Sequence, residues 1–398
     1  MEGERAFRGV TMRLAIVGGK LQGIECAYLA EKAGYDAVVI DRCSEAPALS
    51  LVDEAAVLDV TVHEKDALRI ISDCDAVLPA NEDLAALAAL ERLSSKAGVP
   101  LLFDLDAYRI SSSKLLSNDM LSKLDVPMPR HWPECGYPVV VKPSSLSGST
   151  GVMKASSQHE LDECVRRIEE LGDEAVVQEF VDGPGISIEV IGDGEDAIPL
   201  VITEVLSDHT YDCWMVRCPF QGLLRSMEEF EDLSSKIARQ MSLRGIMDVE
   251  AIVQNGVPKV LEVDARMPSQ TPAAVYNATG MNMIKVLVDA LVHDRLERPI
   301  MGEGAAIYEH IAVDGGVMMS CGEGTFAQVR APRVIRNLFG SDEMITDYLP
   351  GRKKWRATII CTGATPAEAW DKRNACIMRI IDSARISRYE GPGKEMMQ

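Results

Sequence analysis

Between positions 245 and 280 the sequence reads GIMDVEAIVQNGVPKVLEVDARMPSQTPAAVYNATG, and acidic and basic side chains recur there at two-residue intervals. Residues 247–253 and 259–265 alternate apolar and polar, and Asn255-Gly256 between them is a hairpin signal. Strand side chains point alternately to opposite faces, so Asp248 and Glu250 share one face of the first strand, and Glu262, Asp264 and Arg266 share one face of the second. Register decides whether these faces coincide. A strict two-residue loop opposes Glu250 to Leu261 and separates the acidic sets, whereas a three-residue loop with a bulge opposes Glu250 to Glu262. The second register is expected. Carboxylates facing one another repel unless something positive sits between them. Mg²⁺ suits that place, because it takes hard oxygen ligands, keeps waters and shares its shell with substrate phosphates. Glu250, Glu262 and Asp264 are therefore the expected metal ligands, and a merely solvated hairpin face is the plainer alternative.

A second stretch has the composition to meet phosphate. The strand 139–143, VVVKP, delivers Lys142 and is followed by SSLSGSTG at 144–151. With Ser147, Gly148 and Ser149 at its centre, this loop can bring backbone N–H groups close to phosphate oxygens without side-chain obstruction. Taken alone, it also reads as a plain flexible loop.

The order E-(x)11-E-V-D-A-R from Glu250 to Arg266, followed by S-Q-T-P and A-T-G, resembles the metal-binding end of the ATP-grasp ligases, particularly the branch that includes carbamoyl phosphate synthetase. The usual second-strand motif there is E-x-N-x-R. Asp264 departs from the common Asn, keeps an oxygen ligand and adds negative charge. The wording YDCWMV, GIMDVEAI and EVDARMPSQTP, with GGKLQG near the start and AYRIS in the middle, is closer still to the pyrrolysine-biosynthesis members of that family, which join 3-methyl-D-ornithine to lysine. This likeness runs from about Met12 to the last strands.

The resemblance implies ATP and Mg²⁺ as cofactors and an acyl-phosphate intermediate. By it, Lys114 and Lys142 contact ATP phosphates, and Arg266 with Lys142 neutralises charge on the transferred phosphoryl group. Backbone groups of Glu179 and Val181 read the adenine edge, and Glu189 holds the ribose. Lys20, Leu21, Gln22, Asn81 and Glu82 hold an amino-acid substrate, with Glu82 pairing an ammonium group. Turn residues and a helix cap are the equally open reading of that set. Tyr211 and Asp212, in the segment 207–216, are candidates for selecting basic amino acids, with ordinary loop packing as the alternative. Ser269 and Thr271, small hydroxyl residues near Arg266, suit orientation of the acyl phosphate.

These groups need an α/β chain to position them, α+β in its ATP-binding part. The resemblance implies an ATP-grasp fold with a Rossmann-like domain at 12–100, a linker helix and small lid at 101–180, and a C-terminal metal and ATP domain at 181–390. The alternation of strand 13–18, helix 23–33 and strand 37–41 is a βαβ beginning. Gly18, Gly19 and Gly23 fit neither a dinucleotide fingerprint nor a Walker spacing, which leaves a tight strand-to-helix turn. Strands are expected at 76–79, 101–103, 175–181, 187–191, 201–206, 307–313 and 356–362. Helices are expected over 104–123 with a break at 111–113, and at 161–171, 283–292 and 366–383. Val126-Pro-Met-Pro129 reads as an extended linker. Beyond about Arg298 no further catalytic cluster is expected. Residues 1–11 read as a disordered, dispensable extension, and 391–398 as a frayed tail.

Composition narrows the partners. The 398 residues carry a net charge of −20 with a pI near 4.8, against non-specific binding to nucleic acid or anionic membrane. Ten cysteines show no C-x-x-C pair and no zinc spacing, no apolar run reaches the roughly 18 residues of a membrane span, and the opening residues lack a signal-peptide core. A cytoplasmic enzyme with reduced thiols and small-molecule substrates is expected, its assembly left open with a homodimer among the options. Two other functions stay open: a different ATP-grasp carboxylate–amine ligase, and a non-catalytic ATP-binding protein.

Overall fold

The computed structural model describes residues 11–222, 224, 225 and 227–391. The expected extension, apart from Thr11, and the expected tail, apart from Gly391, lie outside the described residues.

Strands β1 (Arg13–Val17), β2 (Asp36–Asp41), β3 (Glu54–Val57) and β4 (Ala76–Pro79) form a parallel sheet in the order β3-β2-β1-β4. Helix α1 (Leu21–Ala33) connects β1 to β2, α2 (Glu64–Ser72) connects β3 to β4, and α3 (Leu84–Ala97) follows β4. β1 and β4 are almost wholly apolar because both of their faces are covered. The turn from β1 into α1 requires glycine: Gly18 has φ +120°, and a Cβ there would lie 2.1 Å from the Ala80 carbonyl oxygen. The strand expected at 101–103 is reduced to a single bridge between Val77 and Leu101. The chain leaves the sheet there because the Asp104 side chain caps the next helix, accepting from Ala107 N–H at 2.9 Å.

Helices α4 (Leu105–Ser111) and α5 (Lys114–Lys123) follow, with the break where the sequence placed it. Ala107, Leu121 and Val126 pack into the core under the large sheet. The lid is a three-stranded antiparallel sheet of β5 (Val139–Pro143), β6 (Met153–Ala155) and β7 (Ala175–Glu179), covered by α6 (Gln158–Glu170). Leu161, Cys164 and Ile168 of α6 recur at helical spacing and bury against Val139 and Val141.

The rest is an eleven-stranded, mostly antiparallel sheet. Its path runs through β8 (Gly185–Asp193), β9 (Ala197–Ser207), β10 (Cys213–Cys218), β11 (Arg244–Gln254), β12 (Val257–Asp264) and β13 (Ala305–Asp314). β14 (Val317–Ser320), β15 (Arg333–Arg336), β16 (Glu343–Thr346), β17 (Lys354–Gly363) and β18 (Arg388–Glu390) complete it. Five helices belong to this region: α7 (Met227–Gln240), α8 (Thr271–Thr279), α9 (Met283–Val292), α10 (Glu323–Phe326) and α11 (Pro366–Ala384). Among the described residues no helix is long and apolar enough to cross a membrane.

The β11–β12 hairpin pairs Asp248 with Asp264 and Glu250 with Glu262, the expected register, but it gets there differently. Gln254 pairs with Val257, so the loop is the strict two-residue one, with positive φ at both Asn255 and Gly256. Such a turn matches the twist of the flanking strands. The extra residue is Leu261, a bulge between Val260, opposite Ala251, and Glu262, opposite Glu250.

The parallel sheet and the large sheet share one core, in which Tyr28 of α1 reaches Tyr276 of α8 edge to face. Tyr28 donates to Glu343 at 2.7 Å, and Asn282 donates to the Leu29 carbonyl at 2.7 Å. Glu25 is buried there beside Tyr308, and burial pushes its carboxyl up to about 7 against the Tyr308 hydrogen bond. A raised acid keeps its proton longer folded than unfolded, so this contribution to stability is present below about pH 4.5 and is lost as pH rises to about 7. Denaturant titrations at pH 5 and 8 are expected to show the native chain losing up to about 3 kcal/mol more than Glu25→Gln. Parallel pH profiles would remove this assignment.

Candidate active site

A cleft between the lid and the large sheet holds a cavity of about 580 Å³. Its charged end is built by two lysines arriving from different elements. Lys142, on β5, is buried and donates to the carbonyl of the bulged Leu261 at 3.0 Å, so the irregularity in β12 supplies the lysine's acceptor. Burial lowers its pKa, and Glu262 opposes that. Lys114 opens α5, where Ser113 caps the helix; its Nζ donates to the Leu146 carbonyl at 2.7 Å and lies 3.2 Å from the Glu262 carboxylate. Burial pushes the Glu262 carboxyl up, but Lys114 and Lys142 together hold it below its usual value.

Ser147, Gly148 and Ser149 line the same cavity, and Gly148, Ser149 and Gly151 all have positive φ. The Ser149 hydroxyl donates to the Tyr211 carbonyl at 2.6 Å, and the Ser147 hydroxyl donates to Glu82. The loop is thus tied to both the large sheet and the parallel-sheet region.

The other end of the cavity is apolar, with Val140, Val181, Ile186 and Leu206 among its walls. Glu179 is held through its side chain and its backbone alike. Its carboxylate bridges Arg130, at 2.8 Å, and Lys259 of β12, pinning the lid strand to the acidic hairpin, and its N–H already donates to the Arg130 carbonyl at 2.8 Å. Glu189 is not brought to the cavity. It lies opposite Asp248, one cross-strand step deeper than Ser187, wholly buried, and neither carboxylate oxygen has a hydrogen bond of ordinary geometry. Burial pushes it up to about 7. The strand's alternation sets its face, and its depth along β8 takes it away from the cleft.

The acidic hairpin stands over the charged end. Arg266 reaches Asp264 at 2.9 Å, Asp248 at 3.7 Å and Glu82 at 2.8 Å. Burial and the Glu262 and Asp264 charges push Glu250 up to about 8; burial, opposed by Arg266, pushes Asp264 to about 6. Among the described residues no group of three His, Cys, Asp or Glu is already gathered as a metal cage. The chain's own cations divide the carboxylates, Arg266 drawing Asp264 and Asp248 while Lys114 draws Glu262. Glu250 has no Lys or Arg at ion-pair distance among the described residues and is repelled by both neighbours. An all-oxygen donor set with surplus negative charge fits a hard divalent cation.

Of the five residues expected from the N-terminal region, Gln22 and Glu82 reach this centre. Glu82 accepts from Gln22 at 2.8 Å, from Arg266 and from Ser147, and against the upward push of burial Arg266 holds it below its usual value. Without substrate, Arg266 is the cation that pairs with Glu82. Lys20 is exposed before α1, Leu21 packs against the core, and Asn81 ties strand ends together by donating to the Val17 carbonyl at 2.8 Å and accepting from Asp83 N–H.

A smaller cavity of about 100 Å³ adjoins the hairpin, with Tyr211, Asp212, Ser269, Thr271 and Arg266 on its walls. One oxygen of Asp212 is committed, accepting from Gly324 N–H at 3.1 Å. Two residues there were missed. Gln270, buried with φ +69°, donates to Glu323 at 2.6 Å, and the Ser269 hydroxyl also donates to Glu323, the first residue of α10. The available signal was Gly322-Glu323-Gly324, a carboxylate between two glycines just after a strand.

Comparison with known proteins fits this geometry. A family model described as an ATP-grasp domain matches residues 111–270, and one described as a PylC-like N-terminal domain matches 14–102. The chain is 38% identical over 313 residues to the 3-methyl-D-ornithine–L-lysine ligase of Methanosarcina barkeri, covering 78% of this chain and 82% of that one. It is 38% identical over 312 residues to the enzyme of the same name from Methanosarcina mazei, covering 78% and 81%. The chain belongs to the PylC-like family of ATP-grasp ligases. As such it is an ATP-dependent carbon–nitrogen ligase. The ATP-grasp fold extends to more distant solved structures. An L-amino acid ligase from Bacillus licheniformis superposes with a TM-score of 0.67 at 17% identity, covering 93% of this chain and 98% of that one. The biotin carboxylase domain of Hydrogenobacter thermophilus 2-oxoglutarate carboxylase, crystallised with MgADP and bicarbonate, gives 0.69 at 16%, covering 93% and 90%.

Proposed function

We propose that this chain joins the carboxylate of 3-methyl-D-ornithine to the ε-amine of L-lysine at the expense of ATP. The observation that carries this reading is the convergence of Lys114 and Lys142 with Glu250 and Glu262 at one end of a nucleotide-sized cavity, with Arg266 on the adjoining smaller one, in a chain 38% identical to ligases of that name. Residues 12–100 would serve as the substrate-side domain, 101–180 as linker and lid, and 181–390 as the metal and ATP domain.

The apolar end near Val181 would take the base of ATP, and Lys114 and Lys142 would meet its phosphates. Glu250, Glu262 and Asp264 would hold Mg²⁺, which would neutralise phosphate charge there. The substrate carboxylate attacks the γ-phosphate, and Lys142 and Arg266 stabilise the charge that develops there. The amine then displaces phosphate from the acyl phosphate. Water would destroy that intermediate, and the 146–151 loop, fastened through Ser147 and Ser149, excludes it. ATP itself supplies the activation, so no nucleophilic Ser or Cys is needed.

The test is ADP release with Mg-ATP and L-lysine, with and without 3-methyl-D-ornithine. ADP formation that requires both amino acids supports the reading. Release triggered by a different amine or acid would move the chain to another carboxylate–amine ligase, and ATP binding without turnover by any pair would contradict ligase activity.

A further inference from the structure

A cavity of about 520 Å³ lies beside the nucleotide-sized one, and Pro184 and Glu204 are walls of both. Three neighbouring strands contribute to it. Arg217 of β10 pairs with Glu204 of β9 on one side and with Ile307 of β13 on the other. Side chains in register on adjacent antiparallel strands share a face, so a guanidinium, a carboxylate and an aliphatic group stand in a row. Ala367 and Trp370 of α11 complete the walls, Trp370 packing in one cluster with Ile307.

The polar groups of this cavity are only partly used. Arg217 is the one Lys, Arg or His among its described walls. Its Nη2 meets Glu204 at 2.7 Å, whereas its Nε is buried without a hydrogen-bond partner. The Trp370 ring lies 6.0 Å from the guanidinium, and its Nε1 is buried and unpartnered too. The other cation on that ring, Arg373, is committed to Glu309. Buried donors are ordinarily satisfied, so two of them at one cavity ask for an acceptor. Ala367 adds first-turn backbone of a long helix, where an anion is favoured. Asp371, also on the wall, has no partner among the described residues.

These features select one kind of ligand. A simple anion would face Glu204 and Asp371, and a simple cation would leave the donors unanswered. A zwitterion with an apolar body answers both, and a cavity of this volume is ligand-sized.

We propose that this cavity is a second, regulatory binding site for a free α-amino acid with an apolar side chain. The ligand carboxylate meets Arg217 and the first turn of α11, its ammonium meets Asp371, and its side chain lies on Ile307. Arg217 drawn toward the ligand loosens its hold on Glu204, which the nucleotide cavity shares, so the occupant is coupled to nucleotide affinity. The site takes no part in joining the two substrates.

The test is calorimetric titration of the full chain with L-valine, L-leucine and L-phenylalanine, with and without ADP and Mg²⁺. Analogues of the tightest binder that lack its ammonium or its carboxylate follow. Each analogue is expected to bind about tenfold more weakly or worse than its parent, the scale for losing a hydrogen-bonded charge. The saturating amino acid should move ADP affinity about fivefold or more, and ADP should move amino-acid affinity by the same factor. Arg217→Gln should lose at least about tenfold in amino-acid affinity. Ala367→Phe narrows the cavity from an exposed helix position and leaves the Glu204–Arg217 pair in place, so it should lose the amino acid while keeping native ADP affinity. Four results would each overturn the proposal: binding of none of the three amino acids, their displacement by L-lysine, native affinity in both variants, or an ADP affinity that the bound amino acid leaves unmoved.

Discussion

Replacing Glu262 by Ala is expected to lower turnover by about a hundredfold or more, the scale for losing a preorganised electrostatic group. Glu262 is where the three supports of the charged end meet: Lys114 stands 3.2 Å from it, Lys142 is fastened to the carbonyl of the residue before it, and Glu250 faces it across the hairpin. Without its carboxylate the proposed metal loses a ligand, and Lys114 and Lys142 lose the charge that separates them. Steady-state ADP release at saturating amino acids measures the effect. Near-native turnover would remove the metal assignment.

Arg266→Ala is expected to be worse, because it damages both folding and chemistry. Arg266 serves Asp264, Asp248 and Glu82, and its side chain is 15% exposed, so its loss leaves three carboxylates competing in one largely buried place. Breaking such a cluster costs about 3–5 kcal/mol of stability, read as a lower urea midpoint. Turnover should fall by about a hundredfold to a thousandfold. Arg266→Lys should recover part of the stability and little of the rate, since one ammonium cannot span Glu82 at Nε and Asp264 at Nη2 as the planar guanidinium does. Full activity in the lysine variant would show that only the charge matters.

What the sequence disclosed and what it hid separate along physical lines. Alternation is a local property, so Asp248 with Glu250, and Glu262 with Asp264, were each legible as one face of a strand, and the coincidence of the two faces rested on register. The route to that register was not legible, because a bulge in the loop and a bulge at Leu261 produce the same pairing. Helix α9 was placed to the residue, with Asn282 as its cap. Helix α8 is absent from the expected helices, because it is buried on most sides and shows no amphipathic period, although its Pro272 was a start signal.

The site residues divide in the same way. Lys142 and the 147–149 loop follow from a strand and a glycine-rich turn, both encoded locally. Glu189 lies opposite Asp248 and is not among the cavity walls, a matter of how far along β8 the cleft extends. Glu323 comes from a short helix more than fifty residues beyond the hairpin, and only tertiary packing brings it to Ser269 and Gln270. Arg266 pairing with Glu82 is likewise a long-range event, tying the expected substrate-side carboxylate to the acidic hairpin.

The measurement that bears most directly on the central claim is a single-turnover reaction with 3-methyl-D-ornithine carrying ¹⁸O in both carboxylate oxygens, analysed by mass spectrometry. Attack on the γ-phosphate and displacement by the lysine ε-amine place one ¹⁸O in the released phosphate and one in the amide of a conjugate weighing the two amino acids less one labelled water. Phosphate without label, or label in AMP, would contradict the acyl-phosphate account.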